Sequence, residues 1–129
     1  MAEALCINST LTKIDLSYNA IEDQGAIALA QMLIRNETLE TLNVKHCNIT
    51  ELGAIKLAEA LCINSTLTKI VLDCNAIKDQ GAIALVQVLT KNQSLNELGI
   101  QFCSISGAGA SHLARAVLTN HSITRVVGW

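Results

Sequence analysis

Aromatic side chains are almost missing from this 129-residue chain, which has one tyrosine, one phenylalanine and one tryptophan (Tyr18, Phe102, Trp129). A core without rings must be filled by Leu, Ile, Val and Ala in thin, regular layers, and half the residues are apolar. Excess basic charge is also missing. The formal net charge is −2, so no basic stripe is available to neutralise a phosphate backbone, and nucleic acid is excluded as an expected partner. No apolar run approaches the roughly 20 residues that span a bilayer, and Met1-Ala2-Glu3-Ala4-Leu5 lacks the basic start and apolar stretch of a secretory signal. No membrane association is expected, and the expected compartment is the cytoplasm.

A disulfide framework is lacking too, although there are five cysteines. Cys6 and Cys62 lie 56 residues apart, as do Cys47 and Cys103. That step is twice a 28-residue period, which at strand spacings of about 4.8 Å puts each pair roughly 10 Å apart, too far to bridge. Reduced, buried thiols are expected.

The period itself is the main signal. Leu11, Leu39, Leu67, Leu95 and Ile123 follow one another at steps of 28. Four of them open the same pattern: Leu11-x-x-Ile14-x-Leu16-x-x-Asn19-x-Ile21, then Leu39 to Ile49, Leu67 to Ile77 and Leu95 to Ile105. Apolar residues two apart turn one face of a short strand into a core and leave the other face free. Asn19 and Asn75 end their strands with a group able to donate and accept, and Cys47 and Cys103 take that place in alternate coils, so the structural period is 56. A helix is expected after each strand. Asp23, Thr50, Asp79 and Ser106 are candidate caps, and Ala26, Leu29, Ala30 and Leu33 supply the first apolar stripe. Gly25, Gly53 and Gly81 are expected to let each helix lie close to its strand.

Asn36, Asn64, Asn92 and Asn120 follow the helices, where a left-handed terminating conformation is expected. These positions, with Asn8, also spell glycosylation triplets. The repeat accounts for them without sugar, and Asn48-Ile49-Thr50 is the one triplet off that register.

The pattern is the leucine-rich repeat signature. Phrases such as Leu67-Thr68-Lys69-Ile70-Val71-Leu72-Asp73-Cys74-Asn75-Ala76-Ile77 and Gly81-Ala82-Ile83-Ala84-Leu85 resemble ribonuclease-inhibitor-type leucine-rich repeats, also found in NOD-like receptors. The resemblance implies an α/β, right-handed solenoid or horseshoe of about 4.5 repeats, one domain over residues 1–129, with parallel strands on the concave face and helices on the convex face. It also implies an intracellular protein-binding surface. Residues 4–14 recur unchanged as 60–70, the mark of a duplicated two-repeat unit. By register, Met1 falls inside a helix and Gly128 inside a strand, so an uncapped array is expected, either a fragment or a module that stacks through its ends.

The free sheet face carries the candidate site. Its columns run Lys13, Thr41, Lys69, Glu97, Arg125; then Asp15, Asn43, Val71, Gly99, Val127; then Ser17, Lys45, Asp73, Gln101, Trp129; with Tyr18, His46, Cys74 and Phe102 along the rim. Lys13, Asp15, Tyr18, Lys45, His46, Asp73, Gln101 and Phe102 are the candidate protein-binding residues, with the aromatic pair as anchors. Opposite charges in neighbouring rows, Lys45 with Asp73 and Lys69 with Glu97 and Arg125, are equally compatible with solvated surface ladders. No catalytic site, metal or cofactor is expected: His46 beside Cys74 lacks an orienting carboxylate, and Gly107-Ala108-Gly109 lacks the third glycine of a phosphate-cradling loop.

Overall fold

The computed structural model describes residues 10–128. Met1, Cys6, Asn8 and Trp129, all assigned to columns by the repeat, lie outside the described residues. Five short strands, β1 (Lys13–Asp15), β2 (Thr41–Asn43), β3 (Lys69–Val71), β4 (Glu97–Gly99) and β5 (Arg125–Val127), alternate with four helices, α1 (Glu22–Arg35), α2 (Glu51–Leu61), α3 (Lys78–Lys91) and α4 (Gly107–Thr119). The strands form one parallel sheet in chain order, with Lys13, Thr41, Lys69, Glu97 and Arg125 directly paired. Spacing along the chain is therefore register across the sheet.

The helices pack side by side on one face. Between helices and sheet, the inward columns Leu39, Leu67 and Leu95, then Leu42, Ile70 and Leu98, then Val44, Leu72 and Ile100 are at most 2% exposed. Each such side chain contributes roughly 1.5–3 kcal/mol through burial. Ala26, Ala54 and Ala82 are fully buried, so the helices approach without a large residue between them.

The 56-residue period has a physical basis in two alternating joints between coils. At the first kind, Asp23 Oδ1 accepts from the N–H groups of Thr50 (2.7 Å) and Gly53 (3.1 Å), and Oδ2 accepts from the Thr50 hydroxyl. Asp79 does the same for Ser106 N–H and its hydroxyl. In return the Glu22 and Lys78 N–H groups donate to Cys47 and Cys103 carbonyls of the following coil. This corrects the expectation for Asp23 and Asp79: Asp23 caps the helix of the next coil through Gly53 N–H, Asp79 ties to Ser106 at the foot of the next helix, and their own helices follow Ile21 and Ile77 without a side-chain cap. It also corrects the reason for the glycines. A Cβ at Gly53 would lie 2.6 Å from Asp23 Oδ1, and one at Gly25 would lie 2.6 Å from Ile21 Cβ, so these glycines make room for the joint and the helix start, not for the strand.

At the second kind of joint, buried Asn75 accepts from Cys47 and Ile49 N–H (both 3.0 Å) and donates to Val44 O (2.8 Å), Leu72 O and Asp73 O. Cysteine substitutes for half of this. Cys47 Sγ donates to Leu16 O at 3.1 Å and Cys103 Sγ to Leu72 O at 3.3 Å, the carbonyls an asparagine amide would take, but a thiol offers little to an N–H. Both thiols are buried, and desolvation pushes Cys103 up to about 11.

A third element runs through every described coil. Asn64, Asn92 and Asn120 donate to carbonyls of the preceding coil (Leu33 and Asn36; Leu61 and Asn64; Leu89 and Asn92), and each accepts from N–H groups two and three residues ahead. The expected left-handed ending is overturned: Asn36, Asn92 and Asn120 are extended, with ψ of 132°, 133° and 140°. The triplets thus belong to a ladder of engaged amides, and Asn36, Asn64 and Asn92 are buried.

The first joint makes a pH prediction. Hydrogen bonds from the Ser106 hydroxyl and N–H hold the Asp79 carboxyl below the usual carboxylate range. A depressed folded-state pKa stabilises the fold above the unfolded value, about pH 4. That contribution is lost as pH falls through the folded value. Asp79→Asn is expected to flatten the fall of melting temperature with pH below about pH 4. A variant curve parallel to wild type would remove Asp79 as a cause.

Candidate functional site

The free sheet face and the turn beside it are built by the same alternation that fills the core. In β2 and β3 a fully buried centre lies between half-buried residues of the free face, β1 and β5 have partly buried centres, and after each strand the chain turns sharply. The turn places Tyr18, His46, Cys74 and Phe102 in the left-handed region, with φ of 62°, 52°, 60° and 55°. A residue with a Cβ is held there at a cost of about 1–2 kcal/mol. The conformation swings these side chains out to the rim, where Tyr18 is 66% and Phe102 83% exposed.

Three of the predicted residues come together. The Tyr18 and His46 rings stack at 5.4 Å between centroids with 24° between planes, and Lys45 Nζ lies 5.6 Å from the centre of the Tyr18 ring. Hydrogen bonding to Tyr18 pushes the Lys45 ammonium up. Lys45 therefore reaches the aromatic rim, and of the two opposite-charge ladders the sequence allowed, the one with Asp73 forms no ion pair among the described residues. Lys69 and Glu97 do pair, at 3.6 Å.

The others are spread along the face. Lys13 is exposed on β1. Asp15 Oδ1 accepts from the N–H and hydroxyl of Ser17, chiefly the hydroxyl lowering its pKa. Asp73 is 9% exposed, and its carboxylate accepts from Gln101 N–H at 2.9 Å, so it braces the sheet. Gln101 is exposed beside Phe102, two coils from the Tyr18–His46 stack. His46 faces Tyr18, and among the described residues no cluster of three His, Cys, Asp or Glu side chains is placed to hold a metal.

Sequence reasoning did not find the depression of about 180 Å³ over β3, β4 and β5, bordered by Lys69, Asp73, Glu97 and Arg125 over a floor of Val71, Gly99 and Val127. Its signal is the second column, where Gly99 has no side chain and its neighbours are small.

Such an array of strand–turn–helix coils, with one sheet face uncovered, defines a repeat solenoid. A family model described as "Leucine Rich repeat" matches residues 8–30, 35–58, 64–86 and 91–114, and the chain belongs to the leucine-rich repeat family. Among solved structures it is similar to leiomodin-1 actin-binding site 2, at a TM-score of 0.90 and 18% identity over 99% of this chain and 76% of that one. It is also similar to the tropomodulin C-terminal domain of Caenorhabditis elegans, at a TM-score of 0.76 and 22% identity over 91% of this chain and 71% of that one. At these identities the likeness shows the fold alone. Comparison with curated protein sequences finds no significant match. No helix among the described residues is long and apolar enough to cross a membrane.

Proposed function

We propose that this chain is a non-enzymatic scaffold that binds a protein partner through its free sheet face and the adjoining rim. The observation that carries this reading is the exposed Tyr18–Lys45–His46 cluster, with Phe102 on the same rim. Aromatic rings presented by a rigid backbone bury much area at little ordering cost. The 28-residue coil with a full helix on its outer side supports the ribonuclease-inhibitor-type subclass and its relation to NOD-like receptors, and with it a cytoplasmic location. Actin is a partner to test directly, because the leiomodin-1 structure of similar fold is an actin-binding site.

The test is affinity capture from cell extract together with direct binding to purified actin, each with wild type, Tyr18→Ala and Phe102→Ala. Each variant is expected to weaken binding of the partner roughly tenfold or more. Equal recovery by all three would reject the rim as the contact surface.

A second reading, self-association, is favoured by the groove of about 320 Å³ beside β5, where Ala114, Val117, Ile123 and Val126 lie together with Thr124 and Arg125. A molecular mass by light scattering that stays at one chain across concentrations would remove it.

A further inference from the structure

The two outer strands of the sheet leave complementary backbone groups open. At β5, Arg125 N–H donates to Asn96 O (3.0 Å) and Val127 O accepts from Ile100 N–H (2.8 Å). A planar trans peptide unit points its N–H and C=O in opposite directions, so Thr124 O and Gly128 N–H face away from the sheet. At β1, Thr12 O accepts from Thr41 N–H (3.0 Å) and Leu16 N–H donates to Asn43 O (2.8 Å). By the same geometry Lys13 N–H and Asp15 O face away on the opposite edge. None of these four groups has a partner among the described residues.

The interior strands show what such groups do when a neighbour is present. Thr41, Lys69 and Glu97 N–H donate to Thr12, Glu40 and Thr68 O, all at 3.0 Å, and Leu16, Val44 and Leu72 N–H donate to Asn43, Val71 and Gly99 O at 2.8, 3.0 and 2.8 Å. Lys13 N–H set on Thr124 O and Gly128 N–H set on Asp15 O would be this same pair of bonds. The sequence of β1 supports the match, because Leu11-Thr12-Lys13-Ile14 is identical to Leu67-Thr68-Lys69-Ile70, the segment that pairs with β2. The apolar layer is open at both edges as well. Ile14 and Val126 are only partly buried, whereas Leu42, Ile70 and Leu98 between them are at most 1% exposed.

We propose that β5 of one chain pairs with β1 of a second copy, parallel and in the interior register, so that one sheet runs through both. The proposal rests on the self-association reading and names its surface. The two edges are different surfaces, so the contact is head to tail and does not close on itself. Growth therefore continues past two chains. One row opposes it: this register sets Arg125 beside Lys13, like charges, where the interior has Thr41 beside Lys69.

The test is the mass of the 129-residue chain by light scattering over a concentration series, for wild type, Lys13→Glu and Lys13→Pro. Wild type is expected to grow beyond two chains as concentration rises. Lys13→Glu sets a carboxylate beside Arg125 and is expected to tighten association about fivefold. Added salt is expected to weaken association of that variant and to strengthen that of wild type, since it screens an attraction in one and a repulsion in the other. Lys13→Pro removes an N–H that faces outward on an edge strand, where proline is tolerated; it is expected to abolish association with the melting temperature near that of wild type. In ¹⁵N spectra the Lys13 and Gly128 amides are expected to shift on association, while that of Lys69, already paired with Glu40 O, stays. A single-chain mass for wild type at every concentration would end both the proposal and the self-association reading. Association that stops at two chains, is indifferent to Lys13→Glu, or leaves the Lys13 and Gly128 amides unmoved would reject this strand pairing alone.

Discussion

Asn75→Ala is expected to destabilise the protein by about 3–5 kcal/mol, a large share of the roughly 5–15 kcal/mol that holds a domain of ordinary stability. The side chain is 2% exposed and is the principal side-chain joint between the second and third coils. Alanine leaves the N–H groups of Cys47 and Ile49 and the carbonyl of Val44 without their side-chain partner in a buried place. Neighbouring coils suggest the graded control. Asn75→Cys keeps a donor for Val44 O, as Cys47 and Cys103 do for Leu16 and Leu72, but loses the acceptor, and about half the cost is expected. Denaturant midpoints measured with the slope unchanged give both values. A loss under about 1 kcal/mol for the alanine variant would mean that the joint is not held by this side chain.

The second large effect is expected at Ile70, fully buried in β3 with Leu42 and Leu98 on either side. Ile70→Ala should cost about 2–5 kcal/mol through lost burial and the cavity left behind. Stability in a solenoid is a sum over coils and their interfaces, so position in the array matters as well as chemistry. Ile14, in β1, is partly buried and has one strand neighbour among the described residues; Ile14→Ala should cost about half as much. Equal losses at the two sites would contradict nearest-neighbour stacking.

Register, layer order and core were legible in the sequence because they are periodic. One step of 28 assigns Leu42, Ile70 and Leu98 to the same buried row, and the structure pairs them directly. Alternation of asparagine with cysteine also carried its meaning, since both side chains reach the same carbonyl position of the preceding coil. What escaped are contacts whose two ends belong to different coils. Asp23 and Asp79 look like caps of their own helices, but nothing local says that their partners, Thr50 and Ser106, lie 27 residues later. The left-handed rim escaped because none of Tyr18, His46, Cys74 and Phe102 is the glycine or asparagine that usually announces it. Of the candidate site, the cluster of Tyr18, Lys45 and His46 follows from adjacency of rows. The bracing role of Asp73 does not, because it depends on Gly99 having no side chain: a Cβ there would lie 2.9 Å from Asp73 Oδ1.

The alternation of joints sets a rule for how such a chain can lengthen or shorten. Excising a single coil would bring Asp23 against Lys78, which offers no hydroxyl and begins its helix from a left-handed backbone. Excising two adjacent coils restores every hydroxyl to its acid and every asparagine to its N–H groups. The natural quantum of growth is therefore the pair, and the unchanged recurrence of residues 4–14 as 60–70 is what copying by pairs leaves behind.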